Sequence, residues 1–321
     1  GANEAPPAIL SVFLGDRLTT ILETLAEGKT VEDVKDEVIQ TGVTVLPAVK
    51  RDNTDRNRTS PFAFTGNKIE FRAVGSSQSL AMPMTYLNVA AAEALDAMTV
   101  MLEERLAAGA ERDAALLGVV RDVYREIRQI VFNGDNYTGE WVEEAERRGL
   151  PNLKDTPDAL AVLESDDTGA FLEEYGVFRR HELLARHRIS LEQYSRHLKV
   201  EAIQMVRMAK TGVIPAALDY QKAFADAVEA AARLGVTTDE QKAEFAHYVD
   251  AVNAAFRGLN AVRRALRDNP DEDEGTTAEA RHLTDELIPA MDELRAGCDA
   301  VERRMDSMLW PFPTYHQMLF Q

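Results

Sequence analysis

The chain has 321 residues, of which 45% are hydrophobic and 28% charged, and a formal net charge of −18. That apolar fraction supports a sizeable core and excludes wholesale disorder, while the length suggests about two domains. A pI near 4.8 excludes nucleic acid as the main partner, because phosphate-backbone binding needs a basic surface.

Cys298 is the single cysteine, so no internal disulfide can form. No run of 18 apolar residues occurs, which predicts no membrane span, and no basic-then-apolar leader opens the chain. A cytoplasmic protein is expected. Gly rather than Met stands at position 1, so either a removed start or a piece of a longer protein is expected.

Residues 1–7 read as a loop, held extended by Pro6-Pro7. Leu10, Phe13, Leu14, Leu18, Ile21, Leu22 and Leu25 recur at helical spacing and predict a helix over 8–26 that stops at Gly28. Thr30-Val31-Glu32-Asp33 predicts a second, short helix to about Gln40. The only convincing β signal lies between Val43 and Val74. There Pro61–Phe64 and Lys68–Arg72 flank the turn residues Thr65-Gly66-Asn67. The second strand alternates, placing Ile69 and Phe71 on one face and Lys68, Glu70 and Arg72 on the other.

Beyond Gly75-Ser76-Ser77 the pattern turns helical, with segments predicted over 86–108, 113–132 and 137–149. Residues 152–171 mix turns with short helical stretches. A long helix is predicted over 179–209, interrupted near Ser190, and another over 216–234. Two regular apolar stripes, Phe245 to Leu266 and Leu283 to Met308, predict an antiparallel helical hairpin across the acidic loop 268–275. Pro289 should kink its final helix. Trp310–Tyr315 should dock as an extended tail.

Few residues outside the hairpin suggest chemistry. The acidic loop departs from the calcium-loop pattern and reads as solvated. The six histidines include no i, i+4 pair and have no cysteine near them, so no zinc site is expected. Cys298 lies on an apolar stripe and reads as core rather than nucleophile. Arg56, Arg58, Lys68, Glu70 and Arg72 cluster on or beside the hairpin of an otherwise acidic chain. Two readings stay open for them: a solvated strand face, or cations flanking a carboxylate for a magnesium–polyphosphate ligand.

The run Asp55-Arg56-Asn57-Arg58-Thr59-Ser60-Pro61-Phe62-Ala63-Phe64-Thr65-Gly66-Asn67-Lys68-Ile69-Glu70-Phe71-Arg72 resembles the C-terminal catalytic segment of type III glutamine synthetases. Gly1–Pro7 resembles their flap, and Val131–Tyr137 and Trp310–Tyr315 resemble further segments of that type. The resemblance implies an α+β, mostly α-helical fold. Residues 1–110 would be the C-terminal part of the catalytic domain, and 111–321 a long helical-bundle extension. It implies glutamate–ammonia ligation through γ-glutamyl phosphate, with ATP as co-substrate, Mg2+ or Mn2+ as cofactor, and a homo-oligomeric ring. By motif position, Glu70 is implied as a metal ligand and Arg72 as a contact to glutamate or phosphoryl oxygen. Arg58 is implied as a phosphate contact and Lys68 as a basic group near the nucleotide. Glu4 is implied as the flap base that takes a proton from ammonium. Ala63 departs from the pattern, because shorter glutamine synthetases carry a phosphate-binding arginine there. The rest of the metal site would lie outside this chain, so the chain alone is expected to be inactive. The alternative reading is a non-catalytic helical assembly module.

Overall fold

The computed structural model describes residues 8–29, 60–72, 75, 78–136, 138–270 and 275–320, together with the backbone of 38–39 and 49–50. The described chain is mostly helical, with a small three-stranded sheet. It divides into two compact units. One is Ala5–Lys154 with Leu172–Val177, and the other is Asp155–Phe171 with Phe178–Gln321.

The first unit opens with β1 (Val12–Phe13) and α1 (Gly15–Ala26), where a single helix over 8–26 was expected. Gly15 has φ 75°, a left-handed conformation that no helix can run through, so the helix starts only there. Upstream of it the period is two, with Ile9 and Ser11 buried and Leu10 exposed. Strands β2 (Val38–Ile39) and β3 (Val49–Lys50) pair antiparallel. The first falls inside the expected helix to Gln40 and, like β1, outside the stretch read as β. The rest of that helix lies outside the described residues.

Next come β4 (Phe62–Phe64) and β5 (Ile69–Phe71), the expected hairpin. The sheet order is β1-β4-β5, with β1 parallel to β4 and β4 antiparallel to β5. Val131 extends the sheet beyond β1 through a parallel bridge to Val12. Helices α2 (Ala81–Ala107), α3 (Arg112–Ile127) and α4 (Gly139–Arg147) follow, close to expectation. Val12 and Phe64 turn one sheet face onto α1 and α3, where Leu14, Ala26 and Tyr124 form a core. Tyr124 donates to Glu23 at 2.9 Å, and Arg125 donates to the Ala26 carbonyl that closes α1.

The second unit is helical. Short helices α5 (Thr156–Ala161) and α6 (Asp166–Glu174, which runs on into the first unit) precede α7 (Arg180–Met208). No break occurs at Ser190. Instead α7 passes through a π-turn, Ala209–Val213, directly into α8 (Ile214–Arg233). After α9 (Asp239–Arg267), α10 (Thr277–His282) likewise passes through a π-turn, Leu283–Leu287, into α11 (Ile288–Glu302). Each π-turn ends two residues before a proline, Pro215 or Pro289. A proline ring clashes with the carbonyl four residues back and offers no N–H to it, and a widened turn relieves both. The strain expected at Pro289 is absorbed in this way. Trp310–Thr314 runs without helix, as expected, and only its last residue departs, since Tyr315–Leu319 forms a last turn, α12.

Leu191, Leu198, Val262, Leu283, Leu287 and Leu294 fill the main core of this unit, and Tyr248, Val252 and Val301 a second. The expected antiparallel hairpin is present as α9 against α10–α11. Its seam is close enough that a Cβ on Gly258 would sit 2.4 Å from the Leu294 Cα, and one on Gly297 2.6 Å from the Ala255 nitrogen. At its loop end Glu279, 0% exposed, accepts from Lys199, from the Gly275 N–H at 2.9 Å and from Asn269 at 3.2 Å. Burial raises the Glu279 pKa, but these donors outweigh it and hold the carboxyl below its ordinary range.

Candidate functional site

The hairpin places the expected residues by register. Phe62 faces Phe71, Ala63 faces Glu70, and Phe64 faces Ile69. Cross-strand partners share a face, so Ala63 and Glu70 lie on one side and the aromatic and aliphatic pairs on the other. The Phe62 and Phe71 rings are 5.0 Å apart. At the turn the Thr65 N–H donates to the Lys68 carbonyl at 2.9 Å, and at the open end the Arg72 N–H donates to the Pro61 carbonyl at 2.7 Å.

Glu70 lies between two cations of its own strand. Lys68 Nζ is 3.1 Å from one carboxylate oxygen and Arg72 Nη2 is 3.2 Å from the other. Positions 68, 70 and 72 share a face because the strand period is two. The hydrogen bond from Lys68, then that from Arg72, holds the Glu70 carboxyl below its ordinary range, so it stays ionised at neutral pH. Ala63 beneath it is fully buried. Of the residues singled out from the sequence, Lys68, Glu70 and Arg72 are thus brought together. Glu4, Arg56 and Arg58 lie outside the described residues.

The open side of β5 is apolar. Ile69 is 58% and Phe71 41% exposed, a surface that an isolated small sheet has reason to cover.

The segment Val131–Asn136 anchors this region, a role the resemblance alone did not disclose. Asn133 Oδ1 accepts from the N–H groups of Leu14 at 3.1 Å and Gly15 at 3.0 Å. Its Nδ2 donates to Thr19 at 2.9 Å. This supplies a helix cap for α1 from 119 residues away, since Leu14 carries no capping oxygen. The Phe132 N–H donates to the Val12 carbonyl at 3.1 Å, and its ring stacks on buried Trp141 at 4.4 Å. The buried Ser11 hydroxyl lies within hydrogen-bond distance of the Ser60 hydroxyl at 3.2 Å and of Asn136 Oδ1 at 3.4 Å, tying the foot of β4 to the same segment. Nothing in the local sequence pairs Ser11, Ser60 and Asn136, and only their convergence in space reveals them.

As chemistry, the arrangement offers one ionised carboxylate and two cations on a rigid edge. Among the described residues no three His, Cys, Asp or Glu side chains converge as a metal site. Glu70 fits a divalent cation as a single oxygen ligand, and the remaining ligands would come from elsewhere. Cys298 is no nucleophile. Burial pushes its thiol up to about 11.

Residues 115–232 match the family model of the glutamine synthetase C-terminal domain. The chain carries a glutamine synthetase C-terminal domain. It is 33% identical to the type-3 glutamine synthetase of Dictyostelium discoideum over 100% of its own length and 44% of that protein. It is 31% identical to glutamine synthetases of Bacteroides fragilis and Butyrivibrio fibrisolvens, in each case over its whole length and 45% of theirs. It therefore spans less than half the length of these curated relatives and corresponds to a C-terminal part of a type-3 glutamine synthetase. The hairpin precedes the stretch matched by the family model but falls within the alignment to the relatives. No described helix is long and apolar enough to cross a membrane.

Proposed function

We propose that this chain supplies one wall of the active site of a glutamate–ammonia ligase. In that reaction a side-chain carboxylate oxygen of glutamate attacks the terminal phosphorus of ATP, and ADP leaves. Ammonia then attacks the acyl carbon of γ-glutamyl phosphate, and phosphate leaves. The obstacle is electrostatic, because an anion must approach a polyanion, and preorganised cations lower that barrier. The observation that carries the reading is Glu70 held ionised between Lys68 and Arg72 on one strand face.

In this reading Lys68 approaches the nucleotide, Arg72 binds glutamate or a phosphoryl oxygen, and Arg58 binds phosphate. Glu4 takes a proton from ammonium and closes the site against water. Glu70 would hold a divalent cation, which when bound neutralises phosphate charge. Residues 1–110 form the catalytic part and 111–321 the helical extension, a division supported by the family match that begins at 115. The full-length protein assembles as a homo-oligomeric ring. Glu70 offers a divalent cation a single oxygen ligand and the remaining ligands come from outside this chain, so the chain alone is inactive. The exposed apolar side of β5 supports a packing partner beyond this chain.

The test is glutamine formation. Full-length protein carrying Glu70→Ala should lose it, while the isolated chain should show none. Wild-type turnover in that variant removes Glu70 from the site, and turnover by the isolated chain removes the claim of incompleteness.

A further inference from the structure

Away from the hairpin, a cavity of about 800 Å3 opens in the second unit between α7, α11 and the C-terminal tail. Met205, Met208, Met291, Leu294 and Cys298 form its floor, and Trp310, Phe312 and Met318 one wall. Met208 and Met318 are about half exposed, at 47% and 50%. Unbranched thioethers re-pack around differing shapes, so a methionine-rich floor suits an apolar helix face better than one rigid small molecule.

The rim is mostly acidic, four carboxylates against one cation. Glu201, Asp292, Asp299 and Glu302 border the cavity, and Arg295, the cation among its lining residues, is paired with Asp299 at 2.7 Å. Asp292, Asp299 and Glu302 run along α11 over eleven residues, about 15 Å of helix. A linear acidic border beside an apolar trough complements a helix with one basic and one apolar face.

We propose that this groove binds an amphipathic basic helix from a partner protein, its apolar face on the methionines and its Lys or Arg side chains along the α11 border.

The probe is a fluorescein-labelled, helix-forming Leu–Lys peptide of about 14 residues, roughly 21 Å long when helical. It is titrated into the full chain by fluorescence anisotropy, beside its Leu–Glu counterpart. The Leu–Lys peptide should bind saturably and the Leu–Glu peptide should not. The double variant Asp292→Lys/Glu302→Lys should weaken binding about tenfold or more. Asp226→Lys/Glu103→Lys makes the same change of net charge at exposed positions on α8 and α2, and should leave it within about twofold. Met208→Asp should weaken binding with circular dichroism unchanged. Equal loss in both double variants means general charge attraction and overturns the proposal, as does equal binding of both peptides. Concentration-dependent self-association abolished by Met208→Asp assigns the groove to a second copy and also overturns it.

Discussion

Gly258→Ala adds one methyl group at the tightest point of the helical hairpin. The new Cβ would lie 2.4 Å from the Leu294 Cα and 2.5 Å from its nitrogen. Carbon atoms rest about 3.5 Å apart or more, so the helices must separate by roughly 1 Å. The obstruction is backbone, so no rotamer change relieves it. Separation loosens contacts among Val262, Leu259, Met291 and Leu294, which are buried along the same seam. Overpacking of this kind costs about 1–3 kcal/mol, and the lack of any yielding side chain places this site near the top. Better helix propensity of Ala returns about 1 kcal/mol. The net expectation is a loss of about 2 kcal/mol, or roughly 4–8 °C in Tm for a unit of this size. The control is Gly139→Ala, where a Cβ meets nothing within 4 Å. That change should be neutral or stabilising by up to about 1 kcal/mol. Urea denaturation followed by circular dichroism at the helical band reads both. If Gly258→Ala is as stable as the parent, the argument from seam closeness is wrong.

Two further outcomes are expected. Glu279→Gln should cost about 3 kcal/mol at neutral pH, because it leaves the Lys199 charge without its buried partner. The folded pKa of Glu279 is depressed, so its stabilisation is present above the unfolded carboxyl value of about 4.3 and fades as pH falls through the lower folded value. The stability gap between parent and variant should therefore shrink in acid, and a gap constant from pH 7 to pH 3 would contradict this. Asn133→Ala removes the acceptor for two N–H groups at the start of α1 and should cost about 1–2 kcal/mol. Asn133→Asp keeps that acceptor, so amide exchange at Gly15 should quicken in the alanine variant and not in the aspartate one.

The local sequence determined what short-range physics decides. Strand alternation put Lys68, Glu70 and Arg72 on one face, and the apolar stripes from Phe245 and Leu283 specified two helices that pair. Boundaries that depend on distant partners were decided only by the tertiary structure. Residues 8–14 carry a helical spacing, yet pairing of Val12 with Phe62 and Val131 makes a strand of Val12–Phe13. α1 starts where Asn133, far along the chain, caps it. Pro289 announced strain, and only the backbone shows that it is absorbed as a π-turn within a continuous helix. The charges of the hairpin are legible one by one, whereas the Ser11–Ser60–Asn136 anchor beneath them exists only once three separate segments meet, because hydrogen bonds between residues so far apart leave no period in the sequence.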